Sequence, residues 1–169
     1  LLDTSGGEAH QLTDSPTSIS EYAWSPNTAQ IAYCSDVDPD QLPDDHDLKK
    51  DPRVSVVRRI RYRHDVSRWR GDAHQHIFVV GIADGSSQQM TSGDWDDSSP
   101  VWSPDGERIA FLSGRREDRD LFALNEAYVI GLDGGTPEMW SHELHSVCGL
   151  GWSPDSARLV VAASDLLEG

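Results

Sequence analysis

Short apolar runs set off by turn-forming clusters organise this chain. Ile31 to Cys34, Ile109 to Leu112 and Leu159 to Ala162 are rich in branched and aromatic residues, which suits a buried pleated surface and predicts strands. Two longer runs, His76 to Ile82 and Ala127 to Leu132, lead into the Asp84-Gly85 and Gly134-Gly135 turns. Beyond the turns, Gln89-Met-Thr91 and Met139-Trp-Ser141 predict short additional strands, and Gln11-Leu-Thr13 follows Gly6-Gly7 in the same way.

These elements recur in register. Trp24-Ser-Pro-Asn-Thr-Ala-Gln-Ile-Ala-Tyr, Trp102-Ser-Pro-Asp-Gly-Glu-Arg-Ile-Ala-Phe and Trp152-Ser-Pro-Asp-Ser-Ala-Arg-Leu-Val-Val are copies of one phrase. Gly7, Gly85 and Gly135 each precede the repeat tryptophan by the same 17 positions. In Ser-Pro-Asp-Gly, proline presets φ, aspartate bonds the backbone two residues on, and glycine accepts φ > 0, so the phrase predicts a tight reversal between strands. Four short strands per repeat, with a turn between each pair, predict an all-β fold in which small sheets are arranged radially as propeller blades.

The expected division of the chain is a blade end at 1–13, a blade at 20–91 with an insertion at 36–75, a blade at 98–141 and a partial blade at 148–169. Trp102 and Trp152 lie 50 residues apart and Trp24 and Trp102 lie 78 apart, so the surplus is read as the insertion. Propellers close with about 4 to 8 blades. The sequence is therefore expected to be a segment of a longer polypeptide, with uncovered blade faces that predict weak cooperativity and a tendency to associate.

Charge changes the picture more than hydropathy does. A formal net charge of −15 argues against nucleic acid and acidic membranes as partners, and no apolar run reaches the length of a membrane span. Cys34 and Cys148 are expected to be small buried hydrophobes without a mutual disulfide, a usage that favours the cytoplasm. Nine of the 14 basic residues fall between Lys49 and Arg70, which makes the insertion a basic element on an acidic body. In Val56-Val-Arg-Arg-Ile-Arg-Tyr-Arg-His64, alternation places Arg59, Arg61 and Arg63 on one face of a strand extending the blade. With Trp69 and Arg70 they form the candidate contact region for another domain or partner. Guanidinium groups bind carboxylates bidentately, although pairing with carboxylates of the chain itself accounts for the same pattern.

No catalytic chemistry is expected. There is no Gly-x-Ser-x-Gly elbow and no phosphate-binding glycine loop, and neither cysteine sits in a catalytic setting. His74 and His76 share a strand face, as two metal ligands can, but no third ligand stands at a convincing position. They, with His142 and His145, are read as surface histidines, and no metal or cofactor is expected. Asp36-Val-Asp-Pro-Asp40 lacks the glycine and closing glutamate of a calcium loop and is read as a solvated acidic loop. Gly93-Asp-Trp-Asp-Asp97 is read as a loop between blades. The repeat tryptophans are expected to pack between blades.

The Trp-Ser-Pro-Asp-Gly phrase with its Ile-Ala-Phe strand resembles the propeller repeat of TolB and of the prolyl oligopeptidase family. Pro52-Arg-Val, Arg58-Arg-Ile-Arg-Tyr-Arg-His-Asp65, His76-Ile-Phe-Val-Val80 and Gln89-Met-Thr91 are similar to the inserted segment of acylaminoacyl-peptidase-type members, with Val66 where those have glycine. The resemblance implies an amino-terminal propeller that gates peptide access to a carboxy-terminal α/β-hydrolase domain of the same polypeptide. Folded proteins would be excluded there, while short or unfolded peptides would be cleaved. None of the hydrolase triad positions lies in this chain, so only the gating role and the domain contact carry over. A noncatalytic TolB-like propeller that binds protein partners is the second reading.

Overall fold

Each Trp-Ser-Pro-Asp phrase closes on itself through its serine. Ser103 Oγ donates to Asp105 Oδ1 at 2.5 Å and accepts from Arg108 N at 3.0 Å, while Asp105 Oδ1 also takes Glu107 N–H at 3.0 Å. Ser153, Asp155, Arg158 and Ala157 repeat the arrangement, as do Ser25, Asn27, Gln30 and Ala29. The reversal needs one left-handed residue. Gly106 supplies it at φ 76°, but Thr28 and Ser156 adopt φ of 57° and 58° without being glycine. The side-chain bonds around the turn fix a conformation that glycine alone would only permit.

The computed structural model describes residues 1–2, 4–39, 63–64, 68–69, 72–122, 124–142, 144 and 146–164, with the backbone alone at 63–64 and 68–69. Twelve strands run in chain order through these residues. The first sheet joins β1 (Ile19–Trp24), β2 (Gln30–Val37), β5 (His74–Gly81) and β6 (Ser87–Gln89) in that spatial order. The second joins β7 (Asp97–Trp102), β8 (Arg108–Ser113), β9 (Glu126–Gly131) and β10 (Glu138–Met139) in the same way. A third sheet has β11 (Val147–Trp152) and β12 (Leu159–Ala163), and β3 (Arg63–His64) pairs with β4 (Arg68–Trp69). Every pairing is antiparallel, and the meandering four-stranded sheets are propeller blades. The fold is thus all-β, with two complete blades and partial blades beside them.

The core lies between sheets. One face of the first sheet (Ala23, Ala32, Cys34, Ile77, Val79) packs on Trp102, Ile109, Phe111 and Ile130 of the second. The opposite face of the second sheet, with Leu112 and Ala127, packs on Val147, Leu150, Leu159 and Val161 of the third. Indole hydrogen bonds cross both seams: Trp102 Nε1 donates to Ala23 O at 3.0 Å, and Trp152 Nε1 donates to Val101 O at 3.1 Å. The inner strand of each sheet carries a bulge ahead of its repeat tryptophan, between Ile19 and Glu21, Ser98 and Val101, and Val147 and Gly149. Glu21 uses the first seam as well, its carboxylate accepting the Ser99 N–H.

The fourth strands lie earlier than the sequence pattern suggests, at Ser87–Gln89 and Glu138–Met139. A hydroxyl ends each ladder. Thr91 Oγ1 accepts Ile77 N–H at 2.9 Å, and Ser141 Oγ accepts Ala127 N–H at 2.9 Å, in place of the next backbone partner. Gln11 to Thr13 adopts no strand. Upstream of it, His10 N donates to Leu1 O at 2.8 Å and the amino terminus donates to His10 O at 2.6 Å. By repeat spacing Leu1 and His10 hold the positions of Val129 and Glu138, which face each other across β9 and β10.

Candidate functional site

The meander sends the tight turns to one rim of the sheets and the longer connections to the other. At that second rim the β2–β5, β6–β7 and β8–β9 connections enclose a cleft of about 680 Å³. Pro39 comes from the first connection, with Val37 and His74 at the strand ends that flank it, Ser92, Gly93 and Asp94 from the second, and Glu117, Arg119 and Asp120 from the third. Arg119 spans two of them, donating through Nη2 to Asp94 Oδ2 at 2.8 Å and through Nε to Asp94 O at 3.1 Å. The His74 ring lies 3.5 Å from Asp96 and 3.8 Å from Asp94.

Through His76 the cleft wall leads into a buried polar cluster. His76 and Asp97 are 3% and 0% exposed, with His76 Nδ1 3.1 Å from Asp97 Oδ2. Arg115 Nη2 donates to the other oxygen, Oδ1, at 3.1 Å, and Arg115 Nε donates to Ser113 Oγ at 3.0 Å. The guanidinium also lies 4.4 Å from the Tyr128 ring centroid and 4.8 Å from that of Trp95, so its charge is held by a carboxylate and two aromatic faces. Burial raises the Tyr128 hydroxyl above its ordinary pKa, and the nearby Glu126 carboxylate adds to the rise.

A histidine against a carboxylate is part of a proton relay when a nucleophile stands on the other ring nitrogen. Here both oxygens of Asp97 are engaged and its carboxylate is fully buried, and the pair ties β5 of one blade to β7 of the next with His76 in the wall of the cleft. Among the described residues no group of three His, Cys, Asp or Glu side chains is placed to hold a metal ion.

The structure corrects three readings made from the sequence. His76 is an interior residue, not a surface histidine, and Asp97 opens a strand, not a loop. The signal was available: His76 leads the apolar run Ile-Phe-Val-Val, so it belonged to a buried strand from the start. Cys148 is exposed, whereas Cys34 is buried as expected, and both are free. His142 is exposed and His145 lies outside the described residues. Asp36 is an exposed residue near the end of β2, while Asp40 and Asp47 fall outside the described residues.

Burial, with the Glu21 and Asp97 carboxylates adding to it, pushes the Cys34 thiol up to about 12. One thiol of the native chain, Cys148, is expected to react with a maleimide, and two after unfolding, as counted by mass spectrometry. A folded pKa above the unfolded value means that the Cys34 contribution to stability is complete below the unfolded pKa of 9.0 and declines as pH rises toward about 12.

Of the proposed contact region, Arg59, Arg61 and Arg70 lie outside the described residues. Arg63 and Trp69 face each other in register across β3 and β4, a hairpin of its own instead of an extension of the blade sheet.

No protein-family model matches the chain. It is 27% identical over 132 residues to the peptidase YuxL of Bacillus subtilis, itself uncharacterized, covering 77% of this chain and 20% of that protein. It is 40% identical over 70 residues to the Tol-Pal system protein TolB of Zymomonas mobilis, covering 36% of this chain and 15% of that protein. The chain therefore spans one fifth or less of the curated relatives it matches.

Among solved structures, an oligogalacturonate lyase in complex with manganese superposes with a TM-score of 0.62 at 17% identity, over 95% of this chain and 39% of that one. A protein of Agrobacterium tumefaciens assigned as TolB gives 0.55 at 18%, over 90% and 40%. An acylaminoacyl peptidase bound to a peptide chloromethyl ketone gives 0.50 at 18%, over 86% and 17%. At such identities these structures establish the fold and nothing finer. The chain is a β-propeller segment of the kind found in TolB and in the acylaminoacyl peptidases.

Proposed function

We propose that this chain is the noncatalytic propeller portion of an acylaminoacyl-peptidase-like serine peptidase, where it supports a hydrolase domain of the same polypeptide and limits access to its active site. The observation that carries this reading is the similarity to the peptidase YuxL along 77% of the chain. A rim built from long connections around a charged cleft supports it, because such a rim offers a docking surface without disturbing the blades. The basic insertion is the proposed contact, through Arg59, Arg61, Arg63, Trp69 and Arg70, and the cytoplasm is the proposed compartment.

The test is the parent polypeptide. Reading its sequence past Gly169 should reveal a Gly-x-Ser-x-Gly turn followed by Asp and His, and the purified parent should be labelled by a serine-directed fluorophosphonate. A polypeptide that ends in blades and takes no label would leave the second reading, a TolB-like module for binding proteins, which the 40% identity over 70 residues favours.

A second expectation concerns the arginine row. Replacing Arg59, Arg61 and Arg63 together with serine should weaken docking of the hydrolase domain and flatten its salt dependence, measured by titrating separately expressed domains at several ionic strengths.

A further inference from the structure

A buried ring nitrogen at the junction of the two complete blades borders open space. His76 is 3% exposed, yet its side chain forms part of the cleft wall. Nδ1 lies 3.1 Å from Asp97 Oδ2, so the opposite edge of the ring, with Nε2, is the edge that meets the cleft. Nε2 makes no hydrogen bond among the described residues. A carboxylate can only accept, so the proton of the neutral ring sits on Nδ1 and Nε2 keeps its lone pair. A polar atom at this depth without a partner costs stability, and a donor that enters the cleft removes the cost.

The rest of the lining accepts as well. Asp72, Asp94, Glu117 and Asp120 stand around the cleft, and Arg119 is bonded to Asp94 through two of its nitrogens. With the imidazoles neutral, the lining has a formal excess of three negative charges. Gln89 turns its side-chain nitrogen back to Thr91 O at 2.8 Å, which leaves its carbonyl oxygen on offer. Anions are repelled from such a surface, and an apolar group would leave the acceptors without donors.

Shape narrows the choice further. Among the described residues no three His, Cys, Asp or Glu side chains converge as metal ligands do, so a bare metal ion is poorly served. The volume of about 680 Å³ lies within the range of about 300–1,000 Å³ that takes small organic ligands. What fits is a positive charge that carries several N–H donors on an organic chain. Every lining residue belongs to the two four-stranded sheets or to their connections, so the cleft owes nothing to the outer faces of the first and third sheets.

We propose that this cleft binds a protonated amine or a guanidinium, carried by a basic side chain of a polypeptide or by a free polyamine. An N–H of the ligand donates to His76 Nε2, and Asp72, Glu117 and Asp120 hold its charge. Asp97 contributes from behind by fixing the proton on Nδ1, and Arg115 by holding the other oxygen of Asp97. The inference stands apart from the peptidase reading, because a parent polypeptide without peptidase activity would bind the same cation.

Isothermal titration calorimetry of the whole parent polypeptide tests it, at low salt and near pH 8, where imidazoles are neutral. The probes are spermidine, the blocked peptide acetyl-Gly-Gly-Arg-Gly-Gly-amide, and that peptide with citrulline in place of arginine. At least one cation should bind saturably, and the tighter of the two identifies the source. Citrulline keeps the shape and N–H groups but loses the charge, and should bind about tenfold more weakly. His76→Asn keeps an amide donor toward Asp97 but deletes the Nε2 acceptor, and should weaken cation binding by about tenfold. Glu117→Gln, at an exposed position where folding is not at risk, should weaken it by about fivefold and flatten its salt dependence. Absence of saturable binding by either cation would overturn the proposal. So would equal affinity for the citrulline peptide, or an affinity unchanged by both His76→Asn and Glu117→Gln.

Discussion

Replacing Trp102 with alanine is expected to destabilise the chain by about 3–5 kcal/mol, the usual range for deleting a fully packed aromatic side chain. The ring fills the seam between the first two sheets with Ala32, Cys34, Ile77, Ile109 and Phe111. Nothing nearby can collapse into the vacated space, because the strands on both sides are fixed by their ladders. Loss of the indole bond to Ala23 O adds a smaller amount, about 1 kcal/mol. Urea denaturation followed by circular dichroism would measure the change. A loss under 1 kcal/mol would mean that the seam is not a cooperative core.

The second large effect is expected at Asp97. Its replacement by alanine removes the partner of both Arg115 and His76 inside a seam, and deleting one side of a buried ion pair costs about 3–5 kcal/mol because the other charge remains. The informative comparison is the double variant Asp97→Ala with Arg115→Met. If the single variant suffers from a stranded guanidinium, the double variant should recover a large part of the loss. If the two losses simply add, Asp97 acts through its bonds to backbone or histidine and the account of the cluster is wrong. Urea midpoints of the wild type and three variants, measured at one pH, decide between these.

Most of the architecture was legible because it is repeated. Tryptophan, serine, proline and aspartate at fixed offsets set the turns, and three copies of the apolar run that follows set the second strands. What escaped were details decided by single side chains. The fourth strands stop early because the Thr91 and Ser141 hydroxyls take the next amide, which no propensity records. His76 and Asp97 were misplaced because charge and imidazole suggest a surface, while their burial depends on an arginine 18 residues beyond the aspartate. The cleft was invisible for a similar reason: Asp94 and Arg119 meet only once two connections are folded onto one rim. The exposed Cys148 follows the buried Val147 in its strand but sits at a bulge, where alternation fails.

The hydrogen-bonded turns divide the labour of the two rims. On one side the three Trp-Ser-Pro reversals are each clasped by their own serine and by aspartate or asparagine, so their length is fixed. On the other side, β2 and β5 pair without interruption from Gln30 opposite Gly81 to Val37 opposite His74, and the long connection between them leaves that ladder intact. Chain entropy charges little for lengthening a loop whose ends are already held together, since the closure term grows only with the logarithm of length. New surface can therefore be acquired at one rim in a single step, without retuning the packing of a single blade. A fold built this way can diversify its contacts while its interior stays the same.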